Sequence, residues 1–334
     1  MIVTDAWHPQ VNGVVRTLGQ TGQHLQKLGH QVLFITPENF LTYPCPTYPS
    51  IRLAVFPKKG VREMLQQFQP QAIHIATEGP LGHAARALCS ERSVPFTTSY
   101  HTQFPEYVRA RFPIPINWSY AYLRRYHGRA ARTMVATRSM RRLLEDRGFK
   151  KLEIWARGVD STIFQPGPKS FLSGPRPIAL YMGRVAVEKN IEAFLNLDLP
   201  GSKYVVGDGP DLERLRERFP TVKFTGLKLG QELTAHLAAA DVFVFPSLTD
   251  TFGLVLLEAM ACGVPVAAYP VTGPIDVVQN GKTGVLDNDL HQAVLGALKL
   301  NPADCVDYAR QHSWQNWTER FVSLLEPVKE NGWM

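Results

Sequence analysis

The sequence predicts an α/β protein built as two parallel-sheet halves, and three observations predict it. Short apolar runs of strand length alternate with longer helical patterns from end to end, the pattern of parallel sheets whose crossovers are helices. At 334 residues the chain exceeds a typical single core and fits two domains of roughly 150 residues each. A segment rich in Pro, Gly and Ser, Gly158–Pro177, interrupts the alternation and reads as a linker, after which the pattern restarts.

In the first half the strand-like runs are Met1–Thr4, Gln31–Thr36, Ala72–Ile75, Pro95–Ser99 and Thr133–Ala136. Helical patterns fill Val14–Leu28, Gly60–Phe68 and Gly82–Ser90. The opening strand is so short that the expectation is either a few residues missing ahead of it or a misassigned start. In the second half the runs are Ile178–Met182, Lys203–Val206, Val222–Thr225, Val242–Phe245 and Val264–Ala268. Asp211–Arg218, Glu232–Ala240 and Gly253–Ala261 read as helices between them. Near the end, Trp314, Trp317, Phe321 and Leu324 fall on one face of a helix. Two such halves leave a cleft at the carboxyl ends of their strands, where open α/β sheets bind ligands.

Hydrophobic residues are 45% and charged residues 19% of the chain, as in a soluble globular protein. The net charge of +7 and pI of about 9.2 favour anionic partners. The cysteines, Cys45, Cys89, Cys262 and Cys305, are scattered without a C-x-x-C pair, which points to a reducing compartment. No apolar run reaches the roughly 18 residues of a membrane span, and the N-terminus lacks the pattern of a signal peptide. The expected location is therefore cytoplasmic, with any membrane contact peripheral.

Five strand exits carry chemistry. After the first strand come Pro9, Val11, Asn12, Gly13 and Val14, a turn and helix start whose amides suit an anion or hydroxyl; an ordinary βα turn reads the same way. Ser99–Tyr107 follows another strand and holds Tyr100, His101 and Glu106, residue types that stack on sugar faces and bond sugar hydroxyls; His101 equally fits a capped loop. Gly183–Asn190 places Arg184 and Lys189 five positions apart across a turn, so both can converge on one diphosphate and neutralise a departing phosphate. The alternative there is a solvated loop with Glu188 pairing Lys189. Val205–Pro210 ends in Gly207 and Asp208, a glycine turn that also reads as a simple tight turn. In Asp250–Met260, two carboxylates eight positions apart bracket a glycine-opened helix. The amides near Phe252, Gly253 and Leu254 can receive phosphate oxygens, and Glu258 can accept ribose hydroxyls. Glu258 sits within the apolar stretch Leu254–Met260, where a buried carboxylate needs partners.

Taken in order across nearly the whole chain, these segments resemble the large retaining glycosyltransferase family 4, with the GT-B fold. They are most similar to its bacterial and plastid lipid-modifying and α-mannosyltransferase-like members. The family's E-x7-E signature falls on Asp250 and Glu258, with Asp in place of the first Glu, which shortens its reach by one methylene. The resemblance implies two Rossmann-like domains facing each other across a cleft, residues 1–158 plus 312–334 for the acceptor and 159–311 for the nucleotide sugar. A C-terminal helix would cross back to the first domain. It implies that Asn12 and Gly13 face the donor phosphate and acceptor, and that Tyr100 and His101 lie at the donor sugar. Gly183, Arg184 and Lys189 would clamp the diphosphate, Asp250 would hold sugar hydroxyls, and the Phe252–Leu254 amides would meet the phosphate or sugar. Glu258 would bind the ribose, Gly207 and Asp208 would lie near the base, and Arg157 would open the hinge segment. The implied reaction moves a hexose from a UDP- or GDP-linked donor to an acceptor hydroxyl by front-face attack with retention. It needs no metal or other cofactor. A chain of 334 residues is short for the family, and the second half looks trimmed around 190–203.

Between His101 and Lys151 the basic residues are Arg109, Arg111, Arg124, Arg125, Arg129, Arg132, Arg138, Arg141, Arg142, Arg147, Lys150 and Lys151, against the acids Glu106, Glu145 and Asp146. Phe112, Trp118, Tyr120, Tyr122 and Tyr126 interleave with them, a composition suited to an anionic leaflet and a lipid-linked or glycan acceptor on the inner membrane face. A solvated helix face is the alternative. Other enzymes of the same fold, a nucleotide-sugar epimerase or a glycosyl phosphorylase, compete with this reading, although no pyridoxal-phosphate lysine is evident. A nucleic-acid-binding role has only the pI in its favour, with no recognition motif, and a dinucleotide oxidoreductase lacks G-x-G-x-x-G.

Overall fold

The computed structural model describes residues 1–10, 12–45 and 48–329. It divides into two units, Met1–Ala156 with Gln315–Met334, and Arg157–Trp314.

Unit 1 runs β1 (Ile2–Val3), α1 (Gly13–Lys27), β2 (Phe34–Ile35), β3 (Thr42–Cys45), β4 (Tyr48–Ala54), α2 (Lys58–Phe68), β5 (His74–Ile75), α3 (Pro80–Glu91), β6 (Thr97–Tyr100), α4 (Phe104–Arg111), α5 (Ile116–His127), β7 (Arg132–Val135), α6 (Arg138–Asp146) and β8 (Leu152–Ile154). Its main sheet is parallel, in the order β2-β1-β5-β6-β7-β8. Leu18 and Leu25 of α1 pack with Ile2, Ala76, Met134 and Trp155 on one face. Val61 and Leu65 of α2 pack with Leu81, Ala85 and Leu88 of α3 around Val3, Ile35 and Ile75 on the other. Tyr120 and Leu123 of α5 meet Tyr100, Val135 and Met140.

Unit 2 runs β9 (Ile178–Met182), α7 (Ile191–Leu195), β10 (Ser202–Val206), α8 (Leu212–Arg218), β11 (Lys223–Gly226), α9 (Gly230–Ala239), β12 (Val242–Phe245), α10 (Leu254–Ala261), β13 (Val266–Ala268), α11 (Pro274–Val277), β14 (Gly284–Leu286), α12 (Leu290–Ala297) and α13 (Pro302–Arg310). Its strands, all parallel, lie in the order β11-β10-β9-β12-β13-β14. Counted within the unit this is 3-2-1-4-5-6, the dinucleotide-fold order, with its switch point between β9 and β12. The chain then enters α14 (Trp314–Leu324), whose Phe321 packs on Trp155 with ring centroids 4.7 Å apart. The Trp155 indole N–H donates to Trp317 O at 3.0 Å.

The strands and helices read from periodicity are present, β9 and β12 with the same ends and the others with shifted ends. Periodicity missed the β3–β4 hairpin, β8, β14 and the helices α4 to α7 and α11 to α13. The hairpin carries Pro44 and Pro49 and pairs antiparallel outside the main sheet, so it lacks the apolar run of a buried parallel strand. Segment 158–177 is not a linker. Val159, Phe164 and Leu172 are buried in unit 2, and Val159 N–H donates to His312 O at 2.9 Å. Proline and glycine there leave only a short 3-10 turn, Lys169–Phe171, but do not prevent packing.

Candidate functional site

In unit 2 the motifs gather at the carboxyl ends of the two central strands. The exits of β9 and β10 continue pairing beyond the sheet: Gly183 N–H donates to Val206 O at 3.0 Å and Val185 N–H to Asp208 O at 2.9 Å. The two loops touch so closely that a Cβ on Gly207 would lie 1.9 Å from Gly183 O, and Gly207 has φ 145°. Only glycine fits there. Asp208 is exposed and accepts from Gly209 N–H at 2.7 Å.

Beyond β9 the chain turns through a short 3-10 stretch, Val187–Lys189, and Asn190 takes φ 51°. The Asn190 side-chain amide donates to Pro246 O at 3.0 Å, tying this turn to the exit of β12. Lys189 is thereby carried to Asp250: its Nζ lies 2.7 Å from Oδ1 and 2.9 Å from Oδ2. Both side chains are mostly buried, 20% and 16% exposed. The lysine thus pairs with Asp250. Arg184 is half-buried on the same loop, and its carbonyl accepts from Tyr181 Oη at 2.7 Å.

Gly253 opens α10 in the left-handed region at φ 79°. Phe252 is buried, while Gly253 and Leu254 are half-buried, so the helix start with its first-turn amides faces outward. Glu258, deeper in the helix, is 4% exposed. Its charge, after burial itself, helps push the Cys262 thiol up to about 12. A half-open helix start, a cation–carboxylate pair and a buried carboxylate within one strand-exit cluster can hold a diphosphate and bond hydroxyls. Arg157 is 4% exposed, and burial lowers its guanidinium to about 9, still charged at neutral pH. A separate cavity of about 350 Å³, bordered by Lys169, Cys262 and Arg310, lies at the opposite end of α10.

In unit 1, Asn12 caps α1. Its Oδ1 accepts from Val14 N–H and Val15 N–H, each at 3.0 Å, so those two amides are not open to a ligand. Gly13 is exposed and helical. Val11 and the Arg111 side chain lie outside the described residues. The structure moves Tyr100 out of the expected sugar site: it is 0% exposed, with its ring edge-on to Phe149 in the core. His101, one residue on, is half-buried with its ring edge-on to Trp155, centroids 5.9 Å apart.

The basic segment divides similarly. Tyr120 and Tyr126 are core residues. Phe112 (46%) and Trp118 (72%) are exposed, as are Tyr122, Arg109, Arg124, Arg125 and Arg129. Trp118, Tyr122 and Arg125 share the outer face of α5. Among the described residues no helix is long and apolar enough to cross a membrane. The sequence reading passed over Glu78, part-exposed at the exit of β5, and its partner, the buried His127 at the end of α5; an acid placed between a strand and Gly79-Pro80 was the available signal.

Residues 11–162 match the family model Glycosyltransferase Family 4, and residues 176–299 match Glycosyl transferases group 1. The chain is 30% identical over 311 residues to a GDP-mannose-dependent alpha-mannosyltransferase of Corynebacterium glutamicum, covering 85% of this chain and 75% of that protein. It is 27% identical over 353 residues to an alpha-monoglucosyldiacylglycerol synthase of Streptococcus pneumoniae, covering 90% and 78%. Among solved structures, a sucrose-phosphate synthase from Thermosynechococcus elongatus is similar with a TM-score of 0.75, covering 97% of both chains at 21% identity, a likeness of fold.

Proposed function

The chain belongs to glycosyltransferase family 4 and is a hexosyltransferase that uses a nucleotide sugar, and on that premise we propose that it retains anomeric configuration, needs no metal, and glycosylates a membrane lipid or lipid-linked glycan. The observation that carries the donor side is the Lys189–Asp250 pair, 2.7 Å apart, in the same strand-exit cluster as the start of α10 and the buried Glu258.

In this reading Glu258 takes the ribose hydroxyls and the first amides of α10 take a phosphate oxygen. Arg184 and Lys189 neutralise charge as the diphosphate leaves, the service a divalent cation performs elsewhere. Asp250 holds Lys189 in place and offers its carboxylate to sugar hydroxyls. The acceptor hydroxyl attacks from the face the diphosphate departs, C1–O to the diphosphate breaks as C1–O to the acceptor forms, and a leaving-group oxygen takes the hydroxyl proton. The product is an α-glycoside.

For the acceptor, support comes from the exposed Trp118, Phe112, Tyr122 and arginines of α4 and α5, which fit the interface of an anionic leaflet, and from the diacylglycerol glycosylation named for the pneumococcal relative. The donor base is GDP, as in the corynebacterial relative, or UDP.

A thermal-shift screen tests the donor half: GDP-, UDP- and ADP-sugars, with EDTA, on wild type and Glu258→Ala. Stabilisation by one nucleotide class that survives EDTA and vanishes in the variant is expected. No shift with any nucleotide sugar would overturn the reading.

A further inference from the structure

At the carboxyl end of the unit 1 sheet, the turn Thr77–Gly82 is held by two residues, Asp5 and Tyr126. The Asp5 carboxylate accepts from Leu81 N–H at 2.8 Å, Gly82 N–H at 3.2 Å and Thr77 Oγ1 at 2.9 Å. Tyr126 Oη donates to Thr77 O at 3.0 Å. A Cβ on Gly79 would lie 2.4 Å from the Asp5 carboxyl carbon, and one on Gly82 would lie 1.9 Å from Thr77 O. The turn is therefore fixed, and Glu78 projects from it.

Among the described residues, Glu78 is anchored through one oxygen only. Its Oε1 lies 3.2 Å from Nε2 of His127, itself 3% exposed. His127 Nδ1 is 3.0 Å from Thr98 Oγ1, which is 3.0 Å from Thr133 Oγ1, both buried. One proton arrangement satisfies all four groups: Thr133 donates to Thr98, Thr98 to Nδ1, and Nε2–H to Glu78. The glutamate side chain stays 24% exposed. Beside it, His83 hydrogen-bonds Tyr122, whose ring is 47% exposed. After burial, the Glu78 charge is the next cause that raises the Tyr122 and Tyr126 hydroxyls.

A buried chain that aims one carboxylate oxygen inward and leaves the other at the surface is a preorganised acceptor of hydrogen bonds. We propose that Glu78 is an acceptor-binding residue, its outward oxygen taking a hydroxyl of a neutral glycosyl or polyol group. The proposal rests on the transferase reading above. It assigns this spot to the hydroxyl-bearing part of the acceptor, because the Glu78 carboxylate accepts hydrogen bonds from hydroxyls and repels a phosphate. Tyr122 supplies a half-exposed ring for the apolar face of a sugar.

The test uses the full chain with n-octyl α-D-mannoside and n-octyl α-D-glucoside as acceptors and n-octyl phosphate as the anionic control. Saturation-transfer NMR measures binding, and initial rates with the stabilising nucleotide sugar give KM and kcat. Glu78→Gln is expected to raise the KM of the preferred octyl hexoside at least tenfold while leaving the nucleotide-sugar thermal shift and the donor KM unchanged. Glu78→Asp is expected to fall between. Octyl phosphate is expected to bind wild type and Glu78→Gln alike or to gain in the variant. Hexoside binding and KM within twofold of wild type in Glu78→Gln overturn the proposal, as does absence of hexoside binding to wild type. A urea melt of each variant separates lost binding from lost folding. Failure of the transferase reading shows separately, as no nucleotide-sugar shift in wild type.

Discussion

Lys189 and Asp250, 61 positions apart in sequence, form a chelated ion pair at 2.7 and 2.9 Å, most of each side chain buried. A cation assigned to the donor phosphate and an acid assigned to the donor sugar thus hold each other before any ligand arrives. Each fixes the other's rotamer, and a ligand meets a positioned pair.

Removing one partner therefore costs more than removing both. Lys189→Met leaves Asp250 mostly buried without its lysine and is expected to lower stability by about 1–3 kcal/mol. Asp250→Asn has a similar effect, and the double variant recovers part of the loss. Urea titrations of the four proteins give the coupling. In transfer assays each single variant is expected to lose about 10²–10³-fold in kcat. Additive stability changes would show that the pair is not coupled.

Two glycines predict opposite signs. Gly207→Ala puts a Cβ 1.9 Å from the Gly183 carbonyl at φ 145° and is expected to cost about 2–4 kcal/mol. Gly19, inside α1, has nothing within 4 Å of its added Cβ. Gly19→Ala is expected to stabilise by about 0.5–1 kcal/mol, because alanine loses less freedom in a helix. Urea midpoints check both.

The proposed lipid contact predicts a salt-sensitive partition. Wild type is expected to sediment with phosphatidylglycerol-containing vesicles at low salt and to release as salt screens the arginines. Trp118→Ser, at a position 72% exposed, is expected to weaken binding roughly tenfold, the loss of about 1.5 kcal/mol of aromatic insertion, without shifting the urea midpoint. Equal sedimentation of neutral and anionic vesicles would contradict the electrostatic contribution.

Burial pushes the thiols of Cys89, Cys262 and Cys305 up to about 12. Because burial disfavours the charged thiolate, raising pH toward 12 increases reactivity. At pH 8 only about 10⁻⁴ of each is thiolate. These three are expected to resist iodoacetamide in the folded protein at pH 8 and to react in guanidinium, read by peptide mass spectrometry. Rapid labelling of folded Cys262 at pH 8 would show that the end of α10 opens.

The sequence by itself determined the α/β alternation and the strand exits. The runs Ile178–Met182 and Val242–Phe245 are strands β9 and β12 end to end, because a strand covered on both faces must be continuously apolar. The apolar surroundings of Glu258 foretold its burial for the same local reason. What only the tertiary structure decided is which distant groups meet. Tyr100, read as a sugar contact from its place at a strand exit, points into the core because the packing of α5 and α6 decides which face of β6 is covered. The hairpin β3–β4 escaped notice because a pair outside the main sheet carries no buried run. Glu78 and His127, 49 positions apart, and Lys189 and Asp250 are brought together by strand order and crossover. Local periodicity reports the backbone's conformation, whereas pairing across a sheet depends on the order in which its strands assemble.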